Sequence, residues 1–408
     1  MSTGETAATA LAGGAPPGRE PLSRFLLPVI LLVSSLTVMA SATIAPSLPG
    51  LVDHYRDVEG VQTLVRLVLT IPGLAIAVAA PFAGWLADRF GRKRIIIASI
   101  VLYILAGGAG LVLDSLGALI LSRLVLGLAV AGLLPTSTAL IADFWHGPAR
   151  DRAFGIQAAF MAGGGVVFLP LGGFLAELSW RGPFFVYVLP ILLLPFAVSV
   201  LRDAPRGVAS TDAALDAGPF PTGLTALVSL IAFVGMALFY TLPVQLPFLL
   251  RELGEPSPWL AGAGLAVNTA LSAIASLNFR RVRAAFGPQA ILVGAFVMIG
   301  IGFVVVASAD SLPMAILGLV FCGPGLGLMF PSNSTWLMAQ VPARFRGRAT
   351  GAMTTAVFIG QFVSPLGSQP IADAVGLSGM FMVGAFISFG FSALLLVGHL
   401  LERGRGRS

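Results

Sequence analysis

The sequence predicts an all-α membrane protein: twelve transmembrane helices in two pseudo-symmetric six-helix halves. Three observations carry that prediction. Of the 408 residues, 57% are hydrophobic and only 10% charged, with a mean hydropathy of +0.94, whereas a soluble globular domain carries about 25% charged residues. Apolar runs of about 20 residues, the length that crosses a bilayer as a helix, recur twelve times. The chain also comes into register with itself at an offset of 196 residues.

The elements follow in order. Residues 1–24 are small, polar and rich in Pro and Gly. They lack the cationic start and apolar core of a signal peptide, so a disordered tail is expected and the first span would direct insertion. Six runs lie near 25–49, 61–83, 95–113, 116–142, 154–178 and 184–201, giving an N-terminal half over 25–201. Residues 202–221, rich in Ala, Pro, Gly and Asp, read as a flexible linker. Six more runs near 223–250, 258–279, 289–308, 312–340, 349–372 and 377–401 form a C-terminal half over 222–401, and 402–408 is a short tail. The strands of a lipid-embedded barrel would alternate in polarity, which these runs do not.

The net charge of +6 and pI near 10.4 would suggest nucleic acid in a soluble protein. Sorting the cations gives another meaning. The first tail holds Arg19 and Arg24, and alternate loops hold Arg89, Arg92, Lys93 and Arg94; Arg150 and Arg152; Arg202 and Arg206; Arg280, Arg281 and Arg283; and Arg344, Arg346 and Arg348. The last tail adds Arg403, Arg405 and Arg407, so nineteen of the 24 cations fall on one side. The positive-inside rule makes that side the cytoplasm. Both termini are therefore expected in the cytoplasm and the chain in a cytoplasmic (inner) membrane, with the lipid bilayer, not nucleic acid, as the partner.

The repeat joins distant regions at one offset. Asp114-Ser115-Leu116 meets Asp310-Ser311-Leu312, Phe90-Gly91 meets Phe286-Gly287, and Pro135 meets Pro331. Arg150 and Arg152 meet Arg346 and Arg348, Gly155 meets Gly351, and Glu177 meets Asp373. Two parallel six-span repeats suit carriers that rock about a midplane site.

After span 2 the chain reads Gly84-Trp85-Leu86-Ala87-Asp88-Arg89-Phe90-Gly91-Arg92-Lys93-Arg94. This resembles the signature loop of the major facilitator superfamily, G-x-x-x-D-R-x-G-R-R/K, at every defining position. Span 4 carries Arg123, Gly127 and Gly132, similar to the family's R-x-x-x-G motif, with Leu126 where Gln is common. Trp180-Arg181 followed by Phe184 resembles the W-R-x-x-F step before span 6. The stretch Gly163 to Gly173 holds the ingredients of the G-P-x-x-G-G motif of the drug:proton antiporters, at altered spacing.

The resemblance implies the major facilitator fold and a monomeric secondary active transporter without cofactor. It would move a small amphiphilic organic compound by alternating access, with proton-coupled multidrug efflux by an antiporter as the leading expectation. It also implies a cytoplasmic latch of Gly84, Asp88, Arg89, Gly91, Arg92 and Asp143, in which Asp88 faces the start of span 11 and Arg92 pairs with Asp143. At the repeat offset these acids become Ala284 and Ala339, so the latch would be one-sided. It places a substrate cavity among spans 1, 4, 7 and 10, where Gln157, Tyr240, Gln245, Asn268, Asn333, Trp336 and Gln361 are candidates. Span 1 offers Ser34, Ser35, Thr37, Ser41 and Thr43.

Charges inside spans are costly and usually functional. Two cations qualify, Arg66 and Arg123, and no carboxylate lies deep in a span. They are candidates to hold an anionic or zwitterionic substrate, or Arg123 to modulate a proton site, against the simpler reading that both snorkel to the outer interface. Glu177 and Asp373, repeat-related and juxtamembrane, are candidates for proton coupling. One Cys and three scattered His give no metal site. No G-x-x-x-x-G-K-[ST] loop is present, so neither ATP hydrolysis nor another enzyme activity is expected. An uptake or exchange carrier for an organic anion, and a non-transporting membrane receptor on the same fold, are the alternatives.

Overall fold

A computed structural model describes residues 23–203 and 219–405. Most of the expected tail, linker and last tail lies outside the described residues. Span 1 is built from Leu26–Ala42, a 3-10 turn at Ala45–Ser47 and Leu48–His54. Spans 2 to 5 are Val61–Phe90, Arg92–Gly108, Leu116–Phe144 and Gly147–Leu178. Span 6 is a 3-10 helix, Gly182–Leu192, continued by Leu194–Val200. Spans 7 to 10 are Thr222–Glu252, Pro258–Leu277, Pro288–Ala307 and Leu312–Gln340.

The last helical stretch, Arg346–Arg405, is broken at Gly376, where φ 78° and ψ 169° cannot belong to a helix. Eleven described helices are long and apolar enough to cross a membrane, and the last, divided at Gly376, supplies spans 11 and 12. A left-handed φ of this kind favours glycine, which has no Cβ to clash. The break needs no loop, so hydropathy alone shows it only as a thin polar interruption.

One difference from the sequence reading concerns the signature loop. Gly84 to Phe90 are helical, and only Gly91, at φ 96°, turns the chain into span 3. Span 2 is 30 residues long, about 45 Å at 1.5 Å per residue, so its last turns project beyond the apolar core.

Spans 1 to 6 pack on one another, as do 7 to 12, and the two groups meet where span 2 runs against span 11 and span 5 against span 8. The repeat is visible in the crossings. A Cβ on Gly127 would overlap the backbone of Pro72 and the Ala75 side chain. A Cβ on Gly323 would overlap Asn268 and Leu271, each 196 residues on. Small residues let helices approach this closely in a membrane, where there is no hydrophobic force between them.

Both ends of the described chain lie at one end of the bundle, here the basic end. At the opposite, far end the halves touch: Arg251 Nη1 lies 2.7 Å from Asp53 Oδ2, Ser257 bonds Glu177, and Gly173 packs on the backbone of Pro258 and Trp259. At the basic end Phe82, Trp85 and Asp88 are exposed, and the space beside Gly84, Gly347 and Gly351 is open. The bundle is closed at the far end and parted at the basic end.

Candidate functional site

A cavity of about 340 Å³ lies between the halves. Span 1 contributes Thr37, Val38 and Ser41; span 5 Met161, Ala162, Gly165 and Leu169; span 7 Met236, Phe239, Tyr240 and Pro243; span 8 Leu265, Asn268 and Thr269; span 11 Phe358 and Gln361. Ile76, Val130 and Leu134 complete it, and none of its lining residues is charged.

Local sequence explains how polar groups are tolerated there. Thr37 donates to Ser34 O at 2.7 Å and Thr269 to Leu265 O at 2.9 Å, so each hydroxyl is satisfied on its own helix. Gln361 Nε2 donates to Ser41 Oγ at 3.4 Å across the halves. Pro243 inside span 7 cannot donate to the carbonyl of Phe239, which loosens the helix at the cavity wall. The Asn268 carboxamide oxygen is buried without a partner.

Of the residues proposed from sequence for substrate, the structure brings Tyr240, Asn268 and Gln361 to this cavity. The rest stand elsewhere. Gln157 Nε2 donates to Ser34 Oγ (2.8 Å) and Thr138 Oγ1 (3.4 Å), tying span 5 to spans 1 and 4. Asn333 lines a separate side chamber, and Trp336 is buried in span 10. Phe239, Met161 and Phe358 were not anticipated, because aromatic and aliphatic residues in an apolar span look alike whichever way they face; nor was Thr269, whose hydroxyl is satisfied on its own helix.

Arg123 is fully buried within the N-terminal half. Its Nη2 donates to Ala106 O (2.9 Å) and Gly107 O (2.6 Å), and the guanidinium sits over Phe184 and Tyr187 at 4.9 and 4.8 Å from the ring centres. It fastens span 4 to spans 3 and 6. A hydrogen bond to a charged group contributes about 1.5–3 kcal/mol. Arg123→Leu is therefore expected to lower the yield of monodisperse protein in detergent several-fold, with substrate affinity of the folded remainder unchanged.

Arg66 stands near the far end in a chain of oriented bonds. Its Nε donates to Gln245 Oε1 (3.0 Å), Gln245 Nε2 donates to Gln369 Oε1 (3.2 Å) and Ser368 Oγ (3.0 Å), and Gln369 Nε2 donates to Asp373 Oδ1 (2.7 Å). Every amide turns its donor toward the carboxylate, so a cation and an anion are joined through two carboxamides. The chain crosses from span 2 to spans 7 and 11. The guanidinium also packs over Phe248 at 3.8 Å. A crevice of about 450 Å³ opens beside it, lined by Arg66, Arg251, Glu252 and Asp373 among others. Glu177 accepts from Ser257 at the same end.

At the basic end Arg92 Nη1 lies 2.7 Å from Asp143 Oδ2, an ion pair without the alignment of a hydrogen bond. Asp88 is 3.8 Å from Arg92 Nη2, and its side chain is 75% exposed. A further acid went unnoticed in the sequence: Asp203 Oδ1 accepts from the backbone N–H of Lys93 at 2.9 Å. It caps the exposed start of span 3 from the end of span 6, where the helix dipole favours a negative charge. Gly91 makes room, since a Cβ there would press on the Asp203 carboxylate. Arg89 packs beside Trp85, 5.4 Å from the ring centre.

Comparison with known proteins gives the frame for this geometry. The family model described as Major Facilitator Superfamily matches residues 30–365. The quinolone resistance protein NorA of Staphylococcus aureus is 29% identical over 164 residues, 40% of this chain and 42% of that protein. The puromycin resistance protein pur8 of Streptomyces alboniger is 34% identical over 191 residues, 46% and 37% of the two chains. The matched stretch thus spans about two fifths of each relative's length. Among solved structures, a bacterial homolog of the human lysosomal transporter Spinster, inward-facing and unoccupied, superposes with a TM-score of 0.74 at 20% identity, over 93% of this chain and 96% of that one. A D-xylose-proton symporter gives 0.73 at 16% identity, over 90% and 96%.

Proposed function

Since the chain belongs to the Major Facilitator Superfamily and is a multi-pass membrane transporter, we propose that it exports a small, amphiphilic, largely uncharged organic compound by proton-coupled alternating access. The observation that carries this reading is the central cavity. Its walls are apolar and aromatic, with hydroxyl and carboxamide groups from both halves and no ionised side chain. Such a site suits a ligand with an apolar body and a few hydrogen-bonding groups. It is complete within one chain, in keeping with a monomer. The curated relatives named for quinolone and puromycin resistance support export as the direction.

In this reading the basic loops lie in the cytoplasm, so the structure is the inward-open state of a cytoplasmic-membrane carrier. The Arg66–Gln245–Gln369–Asp373 chain and the Arg251–Asp53 pair seal the outer end. Asp373 is the proposed proton acceptor. Protonation would remove the anionic end of the chain that holds the seal, among the neighbouring charges of Arg66, Arg251, Glu252 and Asp53. The second reading, exchange of an organic anion, rests on Arg66 and Arg251 facing the outer crevice.

Counterflow in proteoliposomes tests the proposal, with puromycin, a quinolone ester that carries no carboxylate, and a panel of organic anions, each with and without a pH gradient. Counterflow of the amphiphiles, accelerated by the gradient, is the expected result. Counterflow of the anions alone would favour the second reading, and silence of a folded sample would favour a receptor.

A further inference from the structure

A second chamber of about 260 Å³ adjoins the central cavity and is walled by the C-terminal half alone. Met236 and Phe239 line both spaces and form the partition. Inside it stands Asn333 of span 10, 1% exposed, with neither its Oδ1 nor its Nδ2 partnered. No charged residue lines the chamber, and its Ser272 hydroxyl already donates to Gly323 O at 2.7 Å.

The repeat shows why this carboxamide is unusual. At the offset of 196, Asn333 corresponds to Ser137 and Met353 to Gln157. In the N-terminal half Gln157 donates to Ser34, and Ser34 donates to Ser137 at 3.1 Å, so a closed polar cluster occupies the place. In the C-terminal half Met353 offers no comparable bond, and a larger polar group than serine has been left open. A buried polar group without a partner is rare and destabilising. It is retained where something else satisfies it.

We propose that Asn333 is the polar anchor of a side pocket that receives one end of the substrate. The end it fits is a neutral group presenting a donor and an acceptor side by side: an amide, a lactam or a protonated carboxyl. The carboxamide pairs with such a group through two parallel hydrogen bonds, Nδ2–H to its carbonyl oxygen and its N–H or O–H to Oδ1. The apolar body lies across Met236 and Phe239 toward the unpartnered Asn268 oxygen in the central cavity. A carboxylate finds no cation in this chamber and is excluded. The inference rests on the reading of the chain as a carrier of amphiphiles and names the chemistry its site selects.

The test uses benzamide, with toluene and benzoate as matched probes, and the thermal midpoint of the purified full-length protein in nanodiscs. Benzamide is expected to raise the wild-type midpoint more than either control at equal concentration. Asn333→Leu should abolish that increment while raising the ligand-free midpoint, because it removes an unsatisfied buried group. Ala232→Leu fills the chamber without touching Asn333 and should also abolish the increment. Three results overturn the proposal: no advantage of benzamide over the controls in wild type, an increment that survives either variant, or a ligand-free midpoint that falls in Asn333→Leu. The last would mean that the carboxamide holds the fold together. Loss of counterflow with an intact Asn333-dependent increment would instead sink the transport reading and leave the pocket standing.

Discussion

Asp88→Asn is expected to reduce the initial rate of counterflow at least about tenfold while leaving the thermal midpoint of the purified carrier unchanged. In the structure Asp88 is exposed and only 3.8 Å from Arg92, and an exposed pair of this kind contributes about 0–1 kcal/mol. Its loss therefore costs the observed conformation little. In the proposed cycle the open space beside Gly84 and Gly347 is where spans 2 and 11 close as the carrier turns outward. In the proposed latch Asp88 meets the start of span 11 on closure, where free N–H groups and the helix dipole favour a carboxylate by up to about 2 kcal/mol in a partly buried setting. About 1.4 kcal/mol corresponds to a factor of ten in an equilibrium, so neutralising the carboxylate starves the outward-facing state. Normal counterflow by Asp88→Asn would remove the latch from the account.

Arg66→Leu is expected to open the far end rather than to weaken substrate binding. Arg66 lines no part of the central cavity; it starts the bonded chain that joins the halves through Gln245 and Gln369 to Asp373. Removing it leaves Gln245 Oε1 without its charged donor, a loss of about 1.5–3 kcal/mol, and so a roughly ten- to hundredfold shift toward the outward-open state. A cysteine placed at Ala372, which lines the outer crevice, reports the change. Its alkylation by a membrane-impermeant reagent should accelerate at least about tenfold in the Arg66→Leu background. The native Cys322 is buried and does not interfere. Unchanged alkylation together with lost affinity for organic anions would instead make Arg66 a binding residue.

The spans were legible in the sequence because bilayer thickness imposes a length on every apolar run. The contact of Arg92 with Asp143 was foreseen only through resemblance, since nothing in the spacing of 92 and 143 brings them together. Inside the spans the sequence says less. A membrane helix is apolar toward lipid and toward its neighbours alike, so Phe239 and Met161 at the cavity wall carry no mark that separates them from Phe82 or Phe160, which are exposed. Polar residues in spans do stand out, yet their roles divide by partner. Gln361 reaches the cavity, Gln157 is spent on Ser34 and Thr138, and Gln245 bonds Arg66 and Gln369 at the far end. Arg123 divides likewise, since its carbonyl partners on span 3 are fixed only once the helices pack. Asp203 was missed because a residue at a linker boundary gives no hint that it caps a helix 110 positions earlier.

In the proposed mechanism the two ends of this bundle open in alternation. Spin labels at positions 86 and 347 report the basic end, and labels at 57 and 256 report the far end. Pulsed electron–electron distances are then measured in nanodiscs for the wild-type background at neutral and acidic pH, with and without a transported amphiphile. Any condition that shortens the 86–347 distance is expected to lengthen the 57–256 distance. Distances that stay fixed under all conditions, or that lengthen together, would contradict it.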